Sequence, residues 1–104
     1  MSDTATPEYP LPPASFEFLV ISLKTQSEMQ LGLIRFDENQ PPEPDLRMAR
    51  HTIDMLAMIQ EKTRGNLNLE EQRLIDNSLT ELRFRYIQAV DELKKPKAEE
   101  QAQG

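Results

Sequence analysis

Residues 61–71 read Glu-Lys-Thr-Arg-Gly-Asn-Leu-Asn-Leu-Glu-Glu, and they punctuate the chain more sharply than any other stretch. Gly65 can adopt the left-handed conformation that ends a helix, and Lys62 and Arg64 stand where a helix end carries partial negative charge. Asn68 followed three residues later by Glu71 has the spacing of a capping box, with asparagine where serine or threonine is usual. One helix therefore stops at Gly65 and the next starts at Asn68. Arg64 to Leu67 is a connector with room only for a reversal, so the two helices form an antiparallel hairpin.

Working outward, Asp45 after Pro44 marks the start of the earlier helix of this pair, and the later one runs to about Leu93, ahead of Pro96. Farther toward the N-terminus, Ser15 can cap a helix that ends near Gly32. The eight prolines fall at Pro7, Pro10, Pro12, Pro13, Pro41, Pro42, Pro44 and Pro96, and so leave three uninterrupted segments. The expected fold class is all-α: a three-helix chain with helices two and three as the hairpin. Residues 15–95 form the single helical domain, with a disordered proline-rich acidic tail at 1–14 and a disordered polar tail at 96–104. A chain of 104 residues has room for one domain and excludes a multidomain enzyme.

Wrapping each segment at 100° per residue predicts what it faces. In the third helix Ile75, Leu79, Leu82, Tyr86, Ala89 and Leu93 make a heptad seam, while Phe84 and Ile87 fall well off it. The second helix carries Leu46, Ala49, Ile53 and Leu56 on one stripe and Met48, Met55 and Ile59 on another, so it needs two neighbours. Its methionines suit a core or a subunit interface equally. In the first helix the charges Glu17, Lys24 and Glu28 share one wedge, and the remaining circumference is apolar or uncharged. Two companion helices have too little surface to cover Phe16, Phe18, Leu19, Val20, Ile21, Leu23, Met29 and Leu31, and leaving such side chains wet forgoes ~1.5–3 kcal/mol each. A two-fold homodimer with the first helix near its centre is the expected assembly. The candidate interface residues are Phe16, Leu19, Leu23, Met48, Met55, Phe84 and Ile87.

Composition narrows the function classes. Net charge is -6; residues 1–45 hold eight acids and two bases, and residues 46–104 are neutral. An acidic chain with no basic block is poorly suited to a phosphate backbone or anionic lipid. The absence of cysteine removes disulfides, thiolate metal sites and thiol nucleophiles, and fits a reducing cytoplasm. Apolar runs such as Phe18 to Ile21 and Met55 to Ile59 are far short of a membrane span, and Met1 to Pro13 lacks the basic and apolar parts of a secretory signal.

Candidate chemistry is thin. His51 is the single histidine, with Asp54 one turn on and Glu61 on the same face, too few ligands for a metal centre; a solvated histidine beside an acid explains it better. Lys62 to Asn68 precedes a helix start, where amides can hold an anion, yet Glu70 and Glu71 occupy that positive end and a hairpin turn accounts for every residue. Arg73, Arg83 and Arg85 with Phe84 could stack on bases, but Asp76, Glu81, Asp91 and Glu92 interleave them, and a surface pair Glu81 to Arg85 is the expected arrangement. No catalytic, cofactor-binding or metal-ligating residue is assigned.

Several runs resemble a bacterial family of small helical proteins known as domain of unknown function number eighteen forty-four. They are Phe18 to Leu23 with Gln26, Leu31 and Gly32; Pro44, Asp45, Leu46 and Ala49; Thr52 to Leu56; Glu61 to Leu67 with Glu70 and Glu71; and Glu81, Leu82, Arg83 and Tyr86. The resemblance covers Ser15 to Val90, and the Glu-Lys-Thr-x-Gly-Asn-Leu run is its most specific part. It implies an all-helical bacterial protein and adds no mechanism. The resulting expectation is a cytoplasmic, non-enzymatic, self-associating module with a protein partner still to be identified, no cofactor, and no membrane or nucleic-acid contact. A nucleic-acid or ribosome-associated factor is the alternative.

Overall fold

Each helix begins on a side chain that accepts its free amides. In the computed structural model, which describes residues 10–34, 39 and 43–94, α1 spans Phe16–Gln30, α2 Leu46–Lys62 and α3 Leu69–Lys94. The Ser15 hydroxyl accepts from the Phe18 amide at 3.1 Å, and Asp45 Oδ1 accepts from the Met48 amide at 3.1 Å. At α3 the capping box closes in both directions. The Glu71 amide donates to Asn68 Oδ1 at 2.8 Å, and the Asn68 amide donates to Glu71 Oε1 at 2.9 Å. Gly32 and Gly65 end their helices at φ +81° and +87°, where a side chain would strain the backbone. A Cβ on Gly32 would also stand 3.4 Å from the Pro44 ring.

Hydrogen bonds between helices set their directions. The Asp45 amide donates to the Gln30 carbonyl at 2.7 Å, and the Thr52 hydroxyl donates to Gln30 Oε1 at 2.8 Å, so the end of α1 lies against the start of α2. Across the hairpin Gln60 Nε2 donates to Asp76 Oδ1 at 2.7 Å, which also accepts from Gln72. The middle helix is thus antiparallel to both others, and α1 and α3 run the same way.

The core is built from the expected stripes: Ala49, Ile53 and Leu56 of α2, Ile75, Leu79 and Leu82 of α3, and Val20 and Leu31 from α1 and its end. Leu67 in the connector is half-buried against this cluster. Two sequence expectations need correction. Leu93, expected on the seam, is 69% exposed. With Gln60 opposite Asp76, equal steps in opposite directions bring Leu46, the first residue of α2, level with about residue 90, so Leu93 lies past the end of its partner helix. Glu81 lies 3.6 Å from Lys24 of α1 and makes no pair with Arg85. Helix packing supplies Glu81 with a half-buried amine that local spacing did not reveal.

The expected tails fall outside the described residues, apart from Pro10 to Ala14, which are exposed and non-helical. Among the described residues no helix is long and apolar enough to cross a membrane.

Ser27 is fully buried, and its hydroxyl has no hydrogen-bond partner among the described residues. An unpaired buried hydroxyl costs about 1–3 kcal/mol in desolvation. Ser27→Ala should therefore hold or raise stability, while Ser27→Leu should lower it by about 1–3 kcal/mol through overpacking. Chemical denaturation of the three proteins checks this order, and a clear loss in the alanine variant would show that the hydroxyl is satisfied.

Candidate functional site

The rotation of α1 decides which of its side chains meet solvent. At 100° per residue Val20, Ser27 and Leu31 fall on one side, and all three are buried. The charged wedge lies on the flank toward α3, where Lys24 Nζ sits 2.8 Å from Glu28 Oε2 and 3.6 Å from Glu81 Oε1. What remains for the outside is the arc of Phe18, Leu19, Ile21, Ser22, Thr25, Gln26 and Met29, which carries no charge. Phe18, Leu19, Ile21 and Met29 are 37–46% exposed. The hydrogen bond to Glu28 raises the Lys24 pKa above its ordinary 10.5; partial burial opposes the rise, and the fields of both carboxylates add to it.

The seven interface residues expected from the sequence do not form one patch. Phe16 and Leu23 are half-buried against the chain's own core. Leu19 belongs to the outward arc of α1, Met48 is exposed on α2, and Met55 is half-buried. Phe84 and Ile87 are each 58% exposed on the outer side of α3. The candidate residues that stay exposed are therefore split among helices, with Leu19 on α1, Met48 on α2, and Phe84 and Ile87 on α3.

The polar candidates are likewise dispersed. His51 is exposed in an open depression with Arg47, Arg50, Asp54 and Tyr86. Among the described residues no group of three His, Cys, Asp or Glu is placed to hold a metal ion. In the 63–68 turn the polar groups serve the reversal: the Thr63 hydroxyl donates to the Ile59 carbonyl at 2.7 Å, Arg64 pairs with Glu61 at 2.6 Å, and the Asn66 amide donates to the Thr63 carbonyl at 2.8 Å. Arg83 and Arg85 diverge. The first lines a groove toward α2 with Ile53 and Tyr86; the second lines a cleft with Leu31, Leu33 and Pro44. Sequence reasoning missed both the groove and the Lys24–Glu81 contact. The Lys24, Glu28 spacing was visible, but the third partner lies more than fifty residues away in the chain.

A family model described as "Domain of unknown function (DUF1844)" matches residues 13–88. The chain belongs to this family. The matched range holds α1, α2 and α3 as far as Gln88, so the DUF1844 unit includes the full three-helix core, the uncharged arc of α1 and the Phe84, Ile87 area. No curated protein and no solved structure matches the chain.

The raised pKa of Lys24 gives its ion pairs a defined pH window. A lysine that titrates above its unfolded value contributes stability that is whole below pH 10.5 and is lost as pH rises through the folded value. Lys24→Met should be less stable than the parent near neutral pH, and the gap should close above pH 10.5. Denaturant unfolding at both ends of that range measures the gap, and a constant difference would count against the assignment.

Proposed function

We propose that this DUF1844 chain is a non-enzymatic helical module that acts by self-association, with the outward arc of α1 at a two-fold interface. The observation that supports this is the uncharged arc itself: four large apolar side chains in the open, and no charge among them to desolvate on burial. Its layout also suits its own copy. Ser22 and Thr25 are small and central, and Phe18 and Met29 are large and terminal. An antiparallel pair of α1 helices with its axis between Ser22 and Thr25 sets Phe18 of one copy beside Met29 of the other. The small central residues let the helices approach, and sulfur meets ring at each end.

The reading assigns no catalysis, cofactor or metal. A cytoplasmic setting suits a chain without cysteine. The area around Phe84 and Ile87 lies outside the proposed two-fold contact and is left for a protein of another kind.

Sedimentation equilibrium at micromolar concentration should give twice the 12.0 kDa chain mass. Phe18→Glu and Thr25→Glu, both on the exposed arc, should give the single-chain mass with helical circular dichroism unchanged. A monomeric parent protein, or a dimer indifferent to both substitutions, would overturn the reading.

A further inference from the structure

The face of the α2–α3 hairpin turned away from α1 carries a trough. It consists of two adjoining depressions of about 650 and 310 Å³ that share Arg50, Asp54 and Tyr86, and no residue of α1 lines either. Its apolar floor is formed by Ile53 and Tyr86, between the two helices, with the exposed Ile87 at the α3 edge. Its charge is opposite in sign to that of the whole molecule. Among the described residues, Arg47, Arg50 and Arg83 line it against the single carboxylate of Asp54, in a chain whose net charge is -6. Asp54 stands 4.0 Å from Arg50, and neither Arg47 nor Arg83 has a carboxylate partner among the described residues.

We propose that this trough binds a short acidic peptide segment of a partner protein, one that carries a large apolar side chain between its carboxylates. The apolar side chain would enter between Ile53, Tyr86 and Ile87. The flanking carboxylates would meet the guanidinium groups of Arg47, Arg50 and Arg83, whose planar forks match carboxylate geometry and are weakly hydrated. A nucleic acid fits less well. Its long uniform charge needs a continuous basic stripe, whereas here Asp54 interrupts the arginines, Arg85 lies on another face and the molecule as a whole repels polyanions. The inference extends the reading of this chain as an interaction module but uses a surface that α1 does not touch.

The test is selection of a random peptide display library on the full chain, followed by binding measurements on synthetic copies of the enriched peptides. Enriched sequences should place at least two Asp or Glu beside an aromatic or large aliphatic residue. Arg83→Glu and Ile87→Glu, both at exposed positions, should each weaken binding about tenfold or more, while Arg73→Glu, outside the trough, should change it less than about twofold. The Phe18→Glu protein should bind as the parent does, whatever its mass, which separates failure here from failure of self-association. No enrichment, enriched peptides without acids, or equal losses at Arg73 would overturn the proposal. So would tighter binding of an oligouridylate, or of a peptide copying residues 1–14 of this chain.

Discussion

Val20 and Leu31 are buried against the α2–α3 hairpin, and that burial sets the rotation of α1 about its own axis. Full burial of such side chains contributes about 1.5–3 kcal/mol each, whereas a partly exposed ion pair contributes about 0–1 kcal/mol. Apolar contact therefore chooses the rotation, and the Lys24, Glu28 and Glu81 cluster follows from it by absorbing the charged wedge on the flank toward α3. The same rotation that gathers the charges inward turns the uncharged arc outward. A three-helix unit this small has one face of α1 left over, and here that face is the one without charge.

The hairpin provides the other half of the architecture. Gly65 ends α2, the Asn68–Glu71 box starts α3, and Gln60 opposite Asp76 fixes the register between them. That register leaves the last turn of α3 beyond the reach of α2 and exposes Leu93. It also brings Ile53 level with Arg83 and Arg50 level with Tyr86, on the side that α1 does not cover. A single fold thus carries two surfaces of different character: an uncharged arc suited to its own copy, and a basic trough with an apolar floor.

The helix count, the caps and most of the buried stripes were legible along the chain because capping and helical periodicity are local. Ser15, Asp45, Asn68 and Gly65 act within a few residues of themselves, and Ala49, Ile53 and Leu56 recur at the period of their own helix. The family resemblance was legible for a related reason, since its most specific run, Glu61 to Leu67, is the turn that the Thr63 hydroxyl, the Glu61–Arg64 pair and the Asn66 amide help to close. Less legible was the fate of the candidate interface. Phe16 and Leu23 could not be told from Phe18 and Leu19 by composition; only the direction from which the hairpin approaches α1 sends the first pair inward and the second out.

By itself the sequence determined three helices, their ends, the antiparallel hairpin and the surplus of apolar side chains on α1, because each depends on residues within a few turns of one another. Tertiary structure alone decided which part of α1 faces outward, that Glu81 belongs with Lys24 rather than Arg85, and that Arg47, Arg50 and Arg83 share a trough. Those outcomes depend on the relative rotation and register of whole helices, which packing sets and which local spacing does not encode.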